Sequence, residues 1–79
     1  MTRFILKKTA YEFSKEDFER ELIGLEPEVI RQYFVEINGK KFPPKQVIAH
    51  VLRLGKVEFT TMDAANILRR LGFRIRHLE

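Results

Sequence analysis

The dipeptide Asn38-Gly39 constrains the fold of this chain more than any other local feature. It separates Tyr33–Ile37, a segment rich in β-branched and aromatic residues, from the shorter segment Lys40–Phe42. Asn-Gly readily adopts the two positive φ angles of a type I′ turn, so the sequence predicts a tight antiparallel hairpin. A two-residue loop sets Val35 opposite Phe42, and these two apolar side chains are expected to pack together on one face.

Helix-capping residues, prolines and glycines predict four helices around this hairpin. Ser14 and Thr60 are the predicted N-caps of the first and the last helix, and each is followed three residues later by an aspartate, as in a capping box. Gly72 is expected to end the last helix in a left-handed conformation, with Phe73 against Leu68. The four helices cover about residues 14–24, 27–32, 44–54 and 60–72.

Two further strands complete the predicted fold. Residues 4–6 form a short strand, and residues 73–76 alternate apolar and arginine side chains with the period of a strand. The final strand is expected to join the hairpin in a small three-stranded sheet, antiparallel or mixed, that packs on the four helices. With 79 residues there is room for one hydrophobic core, so the sequence predicts one α+β domain over residues 1–79.

Residues that perform chemistry are scarce in this sequence. There is no cysteine, which excludes disulfides and thiol nucleophiles and favours a cytoplasmic location. The only serine, Ser14, is assigned to a helix N-cap, and the two histidines, His50 and His77, lie on different predicted elements. No apolar run is long enough for a membrane span. We therefore predict a non-enzymatic protein with no catalytic residue, no cofactor, no metal site and no membrane partner.

Positive charge is concentrated in the second half of the chain. Residues 1–37 carry six basic and eight acidic side chains, whereas residues 38–79 carry nine basic and three acidic ones, a net charge of +6. Such an asymmetry indicates an anionic partner. Part of the charge can also serve the fold, because arginines late in a helix stabilise its dipole and alternating arginines protect the edge of a sheet. Both structural roles remain alternatives to nucleic-acid contact for these arginines.

Candidate nucleic-acid contacts lie on three predicted elements. Lys40 stands at the hairpin tip, and Lys45 and Gln46 begin the third helix, where they are placed to meet phosphate or a base edge. Lys41 is expected to pair across the hairpin with Glu36. The last helix is the candidate DNA reader, since asparagine pairs with adenine and arginine with guanine. A connection of about six residues joins it to the preceding helix, which makes the pair a variant of the helix-turn-helix. The predicted contacts are Lys40, Lys45, Gln46, Asn66, Arg69, Arg70, Arg74 and Arg76.

Residues 37–46 read INGKKFPPKQ, and residues 65–73 read ANILRRLGF. Together these segments resemble a small module found in front of HNH nucleases and modified-DNA restriction enzymes. The resemblance covers about residues 33–75 and implies an accessory DNA-binding module of a restriction or defence system. It also implies structural roles for Gly39 and Pro43 and phosphate contacts for Lys40 and Lys45. The chain has no His-Asn-His constellation, so any cleavage would come from another protein.

The leading hypothesis is therefore a module that binds double-stranded DNA through its basic half and acts beside a partner with nuclease or regulatory activity. The alternative is a small adaptor or regulatory subunit that binds an acidic protein surface, which the same charge would serve. The acidic first half and the basic second half would also allow two copies to associate as a homodimer.

Overall fold

The structure is a computed structural model that describes residues 1–78. A short 3-10 turn, Lys56–Glu58, separates its last two α-helices. The α+β class is confirmed, but the described residues hold three α-helices rather than the predicted four. The elements are β1 (Thr2–Leu6), β2 (Thr9–Phe13), α1 (Lys15–Glu21), β3 (Tyr33–Ile37), β4 (Lys40–Phe42), α2 (Pro44–Leu52), α3 (Thr61–Leu71) and β5 (Ile75–His77).

β3 is the central strand of a three-stranded antiparallel sheet, with β4 on one side and β5 on the other. The predicted register of the β3–β4 hairpin is confirmed, since Val35 pairs with Phe42 and both side chains are fully buried. β5 adds Ile75 opposite Val35. The final strand begins at Ile75 rather than at residue 73, because Phe73 packs into the core directly after α3.

A second antiparallel pair, β1 with β2, forms a separate sheet that is not predicted from the sequence. The predicted strand at residues 4–6 extends over Thr2–Leu6 and turns back through Lys7 and Lys8. Both lysines have positive φ angles, 54° and 65°, in the pattern of a type I′ turn. Lysine rarely adopts this conformation, so no turn signal marks the hairpin in the sequence.

The predicted helix at residues 27–32 is wrong, and this segment is a loop. The buried Gln46 of α2 holds the loop in place. Its Oε1 accepts a hydrogen bond from the N–H of Glu28 at 2.8 Å, and its Nε2 donates to the carbonyl of Glu26 at 2.9 Å. Val29, which the predicted helix would have turned towards the core, is 82% exposed. The tertiary contact through Gln46 therefore outweighs the local helical propensity.

The junction between α2 and α3 also differs from the prediction. α2 is expected to end at Gly55, but it ends at Leu52. Arg53 adopts the left-handed conformation, with φ 58°, and stops the helix there. Residues 53–60 then connect α2 to α3, which is a longer connection than the predicted six residues. The two helices are therefore further from a standard helix-turn-helix than the sequence suggests.

The predicted ends of α3 are confirmed. Thr60 Oγ1 accepts a hydrogen bond from the N–H of Asp63 at 3.1 Å, and Asp63 Oδ2 accepts one from the N–H of Thr60 at 3.0 Å. At the other end Gly72 has φ 103°, and the N–H of Phe73 donates to the carbonyl of Leu68 at 3.0 Å. The predicted capping box of α1 is present as well. These bonds fix the start and the end of α3.

The hydrophobic core lies between the helices and the inner faces of both sheets. α3 packs on α2, β1 and β5, so it has neighbours on three sides and one long side left open. The predicted apolar stripes of α2 and α3 are confirmed, with the buried residues Val47, Ile48, Val51 and Leu52 from α2 and Ala64, Ile67, Leu68 and Leu71 from α3.

Candidate nucleic-acid interface

The open side of α3 carries three polar side chains that are among the predicted contacts. Asn66, Arg69 and Arg70 are all exposed, and their spacing of three and four residues places them on one side of the helix. Arg69 Nη1 donates to Asn66 Oδ1 at 3.3 Å, which orients both side chains. We call these three residues the α3 face.

The β1 strand runs beside the α3 face. Arg70 Nη2 donates to the carbonyl of Arg3 at 3.0 Å, so the guanidinium group of Arg70 is held against the start of β1. A surface groove of about 200 Å³ lies between β1 and α3. Ile5 lines it on the β1 side, and Asn66 and Arg70 line it on the α3 side. The side chain of Arg3 is exposed, and Glu12 lies opposite it in the β1–β2 pair.

The turn between β1 and β2 lies at the other end of the same helix. Lys7 lines a second groove, of about 420 Å³, with Thr60 and Asp63 at the start of α3 and with Glu58 of the 3-10 turn. The two carboxylates in this groove face backbone donors, because Glu58 Oε2 accepts from Gly55 at 2.7 Å and Asp63 Oδ2 from Thr60 at 3.0 Å. Lys7 and Lys8 are both exposed.

A second basic surface covers the outer face of the three-stranded sheet. Arg76 lies opposite Phe34, and Lys41 lies opposite Glu36, so these side chains share the face away from the core. Arg74 is exposed in the connection just before β5. The predicted cross-strand register of Lys41 and Glu36 is confirmed, but Lys41 Nζ lies over the ring of Phe34, 5.2 Å from its centroid. The lysine thereby covers an aromatic ring that would otherwise be open to solvent.

The remaining predicted contacts are held by local structure. Lys40 is half-buried, and its Nζ lies 3.4 Å from the carbonyl oxygen of Leu25. Lys45 is half-buried as well, with its Nζ 5.7 Å from the centroid of the Phe59 ring. Gln46 is only 6% exposed, and both ends of its amide are bonded to the loop before β3. In this conformation the amide of Gln46 faces that loop and not the solvent.

The ion pairs within residues 1–78 do not involve the predicted arginines. The pairs join Arg20 to Asp17 at 3.5 Å and Lys56 to Glu28. No carboxylate of the described chain is within ion-pair distance of Arg69, Arg70, Arg74 or Arg76. No ion pair within residues 1–78 therefore neutralises their positive charges.

Neither a metal cluster nor a membrane-spanning helix is present in residues 1–78. No group of three or more histidine, cysteine or acidic side chains in this range could hold a metal ion. None of the helices in this part of the chain has the length and apolar character that crossing a membrane requires.

The model of one protein family, described as SCO5918-like, matches residues 2–79. The matched region takes in both hairpins and all three helices. No curated protein and no solved structure matches the chain.

Proposed function

The chain belongs to the SCO5918-like family, and we propose that it is a non-enzymatic module that binds nucleic acid, with double-stranded DNA as the favoured ligand. The α3 face carries this proposal. It presents two guanidinium groups, neither of which forms an ion pair within residues 1–78, and one side-chain amide on the open side of a helix. Arginine forms paired hydrogen bonds with guanine and asparagine with adenine, and both also contact phosphate.

The dimensions of α3 suit a DNA groove. Its 11 residues span about 16 Å, and a helix of about 10–12 Å in diameter fits a major groove about 12 Å wide. Because α2 and α3 are joined by residues 53–60, α2 is assigned a packing role rather than that of the first helix of a standard helix-turn-helix.

Backbone contacts are assigned to the outer face of the three-stranded sheet. Arg76 is exposed there opposite Phe34, Lys41 lies over the ring of Phe34, and Arg74 is exposed just before the strand. Lys40 and Lys45 remain candidates for further phosphate contacts, which Lys45 would make by leaving the ring of Phe59. The resemblance to modules of restriction enzymes favours a partner protein with nuclease or regulatory activity.

The proposal is tested by replacing the two arginines of the α3 face. The wild type and Arg69→Gln/Arg70→Gln are titrated with a short DNA duplex, a single-stranded DNA and an RNA over a range of salt concentrations. The wild type is expected to prefer the duplex. The double variant should reduce the slope of log affinity against log salt by about one unit per lost phosphate contact.

The matched control is Arg31→Gln/Arg53→Gln, which removes the same charge from exposed positions outside the α3 face. Its salt dependence should stay close to that of the wild type. The proposal fails when the wild type shows no salt-sensitive binding to any of the three nucleic acids, or when both double variants lose the same slope. A preference for RNA or for single-stranded DNA would contradict double-stranded DNA as the favoured ligand.

A protein adaptor is the second candidate, and two exposed apolar side chains favour it. Ile5 is 69% exposed and Val57 is 97% exposed, and both line the groove that also holds Lys7. Apolar side chains beside a charged rim are typical of protein interfaces. For an adaptor, DNA would not displace the protein from a heparin column, whereas a DNA-binding module would be displaced.

A further inference from the structure

The turn of the first hairpin, formed by β1, Lys7, Lys8 and β2, holds two lysines in an unfavourable conformation. Their φ angles of 54° and 65° lie in the left-handed region, where a Cβ atom crowds the backbone. The same chain uses Asn38 and Gly39 at the equivalent turn of the second hairpin, formed by β3 and β4. Backbone strain of this kind concentrates at functional sites, so the two lysines point to a role beyond the turn itself.

Neither lysine of this turn has a structural partner. Within residues 1–78 their ammonium groups take part in no hydrogen bond and no ion pair, and both residues are exposed. By contrast, Lys41 and Lys45 lie over aromatic rings, and Lys56 pairs with Glu28. The lysines of the turn therefore contribute two positive charges that no ion pair within the described chain neutralises.

The direction of β1 places this turn relative to the α3 face. Arg3 lies at the C-terminal end of α3, where its carbonyl accepts a bond from Arg70. Lys7 lies at the N-terminal end, in the groove that it shares with Thr60 and Asp63. β1 thus runs antiparallel to α3 and carries basic residues to both ends of its open side.

β1 and the turn of the first hairpin follow α3 from Arg70 to Asp63. The four residue steps from Arg3 to Lys7 cover about 13 Å of extended chain. The seven residue steps from Asp63 to Arg70 cover about 10 Å of helix. The major groove is about 12 Å wide, and phosphates line both of its edges. When α3 lies along the groove, as its diameter requires, β1 and the turn of the first hairpin run beside the helix and would face the phosphates at one edge of the groove.

We infer that the Lys7–Lys8 turn is a second DNA contact, which binds the phosphate backbone at one edge of the groove that α3 occupies. This inference rests on the proposed function and names a contact that it does not include. The turn acts as a phosphate clamp without reading bases, because two lysines on flexible stems bind phosphate as point charges. The strained backbone holds both charges at the tip of the hairpin.

The test moves the turn of the second hairpin into the first. Lys7→Asn/Lys8→Gly removes both charges and supplies residues that suit the turn, so the hairpin is retained. The variant is expected to unfold at the wild-type temperature or above it. Its affinity for a short mixed-sequence DNA duplex, measured by fluorescence anisotropy, should fall roughly tenfold, with a log–log salt slope lower by about two units.

Arg31→Gln/Arg53→Gly is the matched control, because it also removes two positive charges from exposed positions and relieves a left-handed residue, at the end of α2. Its salt slope should equal that of the wild type. The inference is overturned when Lys7→Asn/Lys8→Gly keeps the wild-type slope while Arg69→Gln/Arg70→Gln loses it; the proposed function then stands. Equal losses in Arg31→Gln/Arg53→Gly overturn it too, since net charge alone would explain them. Absence of salt-sensitive binding by the wild type overturns both proposals.

Discussion

The two hairpins of this chain have turns of the same kind, built from very different residues. Lys7 and Lys8 in the first hairpin and Asn38 and Gly39 in the second all have positive φ angles. The second turn is part of the framework as well, because Asn38 Nδ2 donates to the carbonyl of Glu19 at 2.8 Å. Strand pairing therefore imposes the turn geometry in both places, and only the second turn has residues selected for that geometry.

The two hairpins also differ in burial. In the second hairpin β4 contributes the fully buried Phe42, which packs in the centre of the core. In the first hairpin β2 has no buried residue, and Tyr11 and Phe13 are half-buried at the margin of the core. The second hairpin is thus a part of the core, whereas β2 lies on its outside, where charge at the turn has little influence on packing.

The largest effect that separates the two hairpins is expected from truncating one aromatic residue in each. Phe42→Ala should lower the free energy of unfolding by about 3–5 kcal/mol, since it opens a cavity in a closed core. Tyr11→Ala should cost about 1–2 kcal/mol, because its ring is partly solvated and stacks mainly on Phe4, at 5.6 Å. Urea denaturation of both variants measures the difference. Equal losses would show that the first hairpin is as much a part of the core as the second.

Local signals account for the predictions of structure that are confirmed. The second hairpin follows from Asn38-Gly39, and the ends of α3 follow from its capping box and from Gly72. The incorrect predictions depend on contacts distant in sequence. The loop at residues 27–32 is held by Gln46, far along the chain, and the first hairpin has a turn that its own residues disfavour.

The candidate site follows the same division. Asn66, Arg69 and Arg70 can be found from the sequence because helical spacing alone places them on one side of α3. Arg3 and the two lysines of the first turn were missed, since they belong to the half of the chain with excess negative charge. Only the packing of β1 against α3 brings them to the α3 face, and no local pattern records that packing.

Exchange of the turns in the other direction should have the next largest effect. Asn38→Lys/Gly39→Lys places a side chain at a left-handed glycine and removes the hydrogen bond from Asn38 to Glu19. We expect a loss of about 2–3 kcal/mol in the free energy of unfolding, from about 1–2 for the strain and about 1 for the bond. Thermal and urea unfolding measure it, with Lys7→Asn/Lys8→Gly as the partner that should be stabilised. If the exchange at Asn38-Gly39 left the free energy of unfolding unchanged, backbone strain would not distinguish the two turns.

The smallest effect concerns the junction between the first hairpin and α1, where β2 ends and a capping box begins. Asp17 Oδ2 accepts a hydrogen bond from the backbone N–H of Ser14 at 2.8 Å, and this bond lowers the pKa of Asp17 below its ordinary value of 3.8. The bond with the Ser14 hydroxyl and the nearby charge of Arg20 act in the same direction.

A lowered pKa in the folded state means that the ionised carboxylate stabilises the fold above pH 3.8, and that this contribution is lost as the pH falls through the folded-state pKa. Asp17→Asn should therefore lower the unfolding temperature slightly at neutral pH, and the difference from the wild type should shrink in acid. A difference that stays constant down to pH values below 3.8 would show that the capping box contributes through its shape and not through its charge.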